Sequence, residues 1–181
     1  MEQIDHLRLL TDFVQGFVAA TKSGKKPTPA VKSTLLQLAV KEHFYPVPNP
    51  AKGVEEPEFL FDFVWYKNSD LNDMVLVAES ERDRNVRQVL LDFSKLMHSK
   101  APIKLLVFWV HSKAQRNGVV QKIEECYMNK FSQHVAREKY LLVGFFDRDQ
   151  IADCYFYEVP DVANLTPIRF ARLDSLPYLT A

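Results

Sequence analysis

Between residues 2 and 21, Ile4, Leu7, Leu10, Val14, Phe17 and Val18 recur at three- and four-residue spacings. That spacing places them on one stripe and predicts an amphipathic helix. SGKKPTP breaks the pattern, and a second helix is expected from about Pro29 to about Phe44, with Val31, Leu35, Leu38 and Val40 apolar. YPVPNPAKG ends that helix and reads as a loop inside one domain. The period then changes. FLFDFVWY (59–66) and MVLVAESE (74–81) have strand length and composition, and the polar KNSDLND between them predicts a hairpin.

Further on, Val86, Val89, Leu90, Phe93, Leu96 and Met97 give a helical stripe to about His98. IKLLVFWV (103–110) is a continuous apolar run, as expected of a strand covered on both faces. A helix is expected from about Val119 to Arg137, with Ile123, Tyr127, Phe131 and Val135 on one face. YLLVGFFD then reads as a buried strand, CYFYEV as a strand at the sheet edge, and the tail with Pro160, Pro167 and Pro177 as irregular.

The order is α α β β α β α β β, a strand–helix–strand unit favouring parallel pairing after an antiparallel hairpin. The expected fold class is α/β (α+β): three layers, a mixed sheet of about five strands flanked by helices. One domain is expected over 1–181, with a core at about 30–110 and strands to about 159.

The acids in the hairpin change this picture. Residues two apart on a strand share a face, so Asp62 lies with Leu60, Val64 and Tyr66, and Glu79 and Glu81 with Val75 and Val77. Pairing brings three carboxylates toward one sheet end, where they need a cation, a basic partner or solvent. Oxygen donors without nearby Cys or His suit Mg²⁺ or Mn²⁺. The alternative is that these acids mark a wet face or a strand end.

Charge narrows the partners. With 23 basic and 23 acidic residues the chain is formally neutral, so attraction to nucleic acid has to come from local patches. The candidates are KSGKK (22–26), RDR (82–84) with Arg87, and HSKAQR (111–116). Trp65, Tyr66 and Trp109 are either base-stacking groups or core. Cys126 and Cys154 form no CxxC motif and read as two buried thiols, the five histidines show no ligand spacing, and no apolar run spans a bilayer. A cytoplasmic protein is expected.

Helices, an Asp strand (FDFVW), a Glu strand (VAESE), the helix LLDFSKLM and the strand IKLLVF follow in an order that resembles the restriction-endonuclease-like, or PD-(D/E)XK, nuclease superfamily. The resemblance covers roughly residues 30–110, and its motif is short. It implies Mg²⁺- or Mn²⁺-dependent hydrolysis of nucleic acid, DNA foremost, with Asp62 and Glu79 as metal ligands. A helical acid, by position Glu42, sometimes joins them in that family. This chain departs from the pattern at Glu81, where the family usually has lysine. Either Lys95 supplies the lysine from the following helix, or Glu81 serves as an auxiliary metal ligand. Lys95 also reads as a solvated lysine paired with Asp92. The rival expectation is a catalytically inactive nuclease-fold domain that binds nucleic acid or a protein partner. A two-fold homodimer would suit cutting of both strands of a duplex.

Overall fold

The computed structural model describes residues 4–48, 61–130, 134–146, 151–161, 169–173 and 176–177. Two helices lead. The Asp5 carboxylate accepts the Leu7 and Arg8 N–H groups and starts α1 (His6–Lys22), and α2 (Pro27–Lys41) opens on proline, whose missing N–H is no loss there. Then come β1 (Tyr45–Val47), β2 (Phe63–Tyr66), β3 (Met74–Glu81), α3 (Val86–Met97), β4 (Ile103–Val110), α4 (Lys113–Lys122), β5 (Lys139–Phe146), β6 (Ile151–Glu158), β7 (Ala171–Arg172) and β8 (Leu176–Pro177).

All eight strands join one mixed sheet in the order β1-β2-β3-β4-β5-β6-β7, with β8 also paired to β6. β1, β2 and β3 run antiparallel, β3, β4 and β5 parallel, and β6 returns antiparallel to β5. The hairpin and the parallel crossover are as expected from the sequence. The sheet is larger than the expected five strands. β1 lies in the stretch read as a loop, because an edge strand tolerates the prolines that a central one rejects. β6 is no edge, since β7 and β8 pair with it, and the tail is therefore not wholly irregular.

The period of two along each strand divides the interior into two cores. Phe63, Trp65, Leu76, Ala78, Leu105, Trp109 and Phe145 face α1 and α2 on one side. Val64, Val77, Leu106, Phe108, Tyr140 and Leu142 face α3 and α4 on the other. β4 and β5 are buried along their whole length, which explains why their sequences are apolar apart from Lys104 and Lys139. Trp65 and Trp109 belong to the first core, so neither is a base-stacking surface. The Trp65 indole N–H donates to the Leu35 carbonyl (3.1 Å), tying α2 to the sheet.

The fourth helix departs furthest from expectation. α4 begins at Lys113 rather than Val119 because Ser112 caps the Gln115 N–H, and beyond Lys122 the chain widens into a π-turn (Ile123–Tyr127) and a 3₁₀ turn (Met128–Lys130). Val135 is exposed rather than on a buried stripe, and Phe131 lies outside the described residues, as do Phe59 and Leu60 of the first predicted strand. Cys154 is buried as expected, whereas Cys126 is exposed.

Candidate functional site

β2 and β3 pair with Phe63 opposite Ala78, and continuing that register one residue brings Asp62 opposite Glu79. Both then lie on the α3 side of the sheet, the side of Val64 and Val77. The Asp62 Oδ2 accepts the Ser80 N–H at 2.8 Å, which fixes the carboxylate against the end of β3.

Glu79 is 3% exposed. From α3 the Lys95 ammonium reaches over the sheet, with its Nζ 3.3 Å from the Glu79 Oε1 and 2.7 Å from the Asp92 Oδ1. Lys95 thus pairs with Asp92 three residues earlier on its own helix and also approaches Glu79. Two carboxyl groups, on Glu79 and Asp92, meet one ammonium, and the Asp62 charge acts on Glu79 from beside it.

The electrostatics follow from that imbalance. Burial pushes the Glu79 carboxyl up to about 8, the Asp62 charge adds to the rise, and Lys95 opposes it. For Lys95, burial acts to lower the pKa, but the hydrogen bond to Asp92 and the charge of Glu79 outweigh it and hold the pKa above its usual value.

The remaining expected site residues are placed differently. Glu81 ends β3 and turns back on its loop, its Oε1 accepting the Asp83 N–H at 2.6 Å. Glu42 is the C-cap of α2 and pairs with Arg8 of α1 at 2.7 Å. Those helices cover the opposite face of the sheet, so Glu42 is not brought to the cluster. Asp92 was visible to sequence reasoning only as a partner for Lys95. Its influence on Glu79 depends on the crossing of α3 over β3, for which no local pattern exists.

Among the described residues, no group of three His, Cys, Asp or Glu side chains is disposed to hold a metal ion ready-made. The fit to a divalent cation is therefore one of charge and donor type: hard oxygen donors, one of them buried, short of positive charge. Comparison with protein-family models, with curated proteins and with solved structures finds no match in any of the three.

Proposed function

We propose that the chain is a phosphodiesterase of restriction-endonuclease-like type acting on nucleic acid, with Asp62, Glu79 and Lys95 as its working groups. The order α2, β2, β3, α3, β4, with the short edge strand β1 added after α2, keeps the element order on which the sequence resemblance rests, and this supports the reading. The observation that carries it is the convergence of Asp62, Glu79 and Lys95 on one face, with Glu79 buried and undercompensated.

In this reading Asp62 and Glu79 would hold Mg²⁺ or Mn²⁺, and Glu81 would join as an auxiliary ligand only on leaving the Asp83 N–H. The chemistry supplied by the bound ion is polarisation of the phosphate and a lowered pKa for the attacking water. Asp92 keeps Lys95 protonated and directed toward Glu79, and that ammonium takes the place of the lysine missing at position 81. A fixed positive charge there offsets negative charge gathering on the phosphate in the transition state. The Ser80 N–H prevents Asp62 from rotating away.

One observation favours a second reading, an inactive domain of the same fold that binds without cutting: Glu81 is turned to the Asp83 amide, and no three-ligand group stands ready. A manganese titration followed by thermal unfolding separates the two. A carboxylate site raises the midpoint as metal rises, by the equivalent of about 2.7 kcal/mol at a hundred times Kd, and Glu79→Gln abolishes the rise. A midpoint indifferent to Mn²⁺ and Mg²⁺ refutes the metal-dependent reading.

A further inference from the structure

β3 and β4 run parallel, so the loops leaving them emerge at the same end of the sheet, the end where Glu79 and Glu81 close β3. Each loop carries one of the basic stretches of the sequence. The two are joined by a single side chain: Gln115 Nε2 donates to the Arg84 carbonyl, and the His111 N–H donates to Gln115 Oε1, both at 2.8 Å. Each loop is also held internally. The Asp83 N–H donates to Glu81, the Arg84 N–H to the Arg82 carbonyl at 2.9 Å, and Asn85 and Ser112 cap α3 and α4.

On this frame Arg82, Arg87 and Lys113 are exposed, and none of the three makes an ion pair with a described residue. Arg116, in the same basic stretch, is instead buried against Asp153. Neither α3 nor α4 has an acid in its first turn, so the positive ends of both helix dipoles reinforce the side-chain charge. In a chain of zero net charge, a local basic patch beside Asp62 and Glu79 is what can draw a polyanion to them.

We infer that this end of the sheet grips the phosphate backbone of nucleic acid across the Asp62–Glu79 site, with Arg82, Arg87 and Lys113 as phosphate contacts on the frame closed by Gln115. The inference rests on the nucleic-acid reading of that site. Contacts of this kind position a strand without reading its sequence.

The test is fluorescence anisotropy with a labelled DNA duplex of about 20 base pairs, and its single strand, in EDTA over a series of KCl concentrations. For the wild-type protein the logarithm of the binding constant falls linearly with the logarithm of salt. The Arg82→Gln, Arg87→Gln, Lys113→Gln variant, checked for an unchanged melting profile, shows a slope shallower by about 2.7, at about 0.9 per lost phosphate contact. Lys22→Gln with Lys26→Gln, at the end of α1 and the N-cap of α2, leaves the slope unchanged.

Equal loss in both variants, no change in the first, or no binding of either oligonucleotide at low salt overturns the inference. So does binding only to vesicles of anionic lipid. Binding that depends on these loops without cutting in Mg²⁺ or Mn²⁺ keeps this surface and removes the hydrolytic reading. Cutting whose salt dependence is the same in the triple variant removes the surface and keeps the site.

Discussion

Replacing Glu79 by glutamine should stabilise the protein, and the gain should grow with pH. The unfolded chain gives up the Glu79 proton near 4.5, whereas the folded protein keeps it to about 8. Between those values the folded state binds more protons than the unfolded one, so stability falls as pH rises, by about 1.4 kcal/mol per unit. Below about pH 4.5 the term vanishes, and above about 8 it levels off near a ceiling of about 5 kcal/mol. At pH 7 it amounts to about 3 kcal/mol, or roughly 6–12 °C in Tm for a chain of this size. Glutamine keeps the shape and carries no charge, so Glu79→Gln escapes the term. The assay is urea unfolding of both proteins in EDTA from pH 5 to 9, with the difference plotted against pH. Lys95→Met should extend the falling range upward, because Lys95 opposes the rise at Glu79. A flat difference, or a variant that loses stability as pH rises, would refute the view that Glu79 is short of positive charge.

Two further substitutions probe the frame that holds the site. A Cβ on Gly16 would stand 2.7 Å from the Thr34 Cγ2, so Gly16→Ala should force α1 and α2 apart and cost about 1–3 kcal/mol, most of it recovered by Thr34→Ser in the same chain; unchanged chemical denaturation of the single variant would contradict this. Lys104 is wholly buried, pairs with Glu138 at 2.6 Å, and has its pKa lowered by that burial. Lys104→Met alone should cost about 3 kcal/mol or more by stranding the Glu138 charge, whereas the double variant Lys104→Met, Glu138→Gln should melt well above the single one.

Much of this arrangement is legible in the sequence where the cause is local. A period of two on each strand puts Asp62 and Glu79 on one face, and helical spacing pairs Lys95 with Asp92. The apolar runs at 105–110 and 140–146 announce central strands because both of their faces are covered. What is not legible depends on distant neighbours. β7 and β8, at two residues each, are too short for any period, and they exist because β6 offers a free side. Glu124, within the stretch expected to be helical, is buried and holds Arg169 and the Phe170 N–H, far along the chain. The same holds for Gln115, whose spacing from Arg84 carries no sequence signal.

The most direct test of the account is cleavage of end-labelled DNA by the wild-type chain and by Asp62→Asn and Glu79→Gln, each with Mg²⁺, with Mn²⁺ and with EDTA. The account predicts cutting only by the wild type and only with a divalent ion, even though Glu79→Gln is the more stable protein at neutral pH. Cutting that survives in both variants, or a wild-type chain that leaves every nucleic acid intact with both metals, would contradict it.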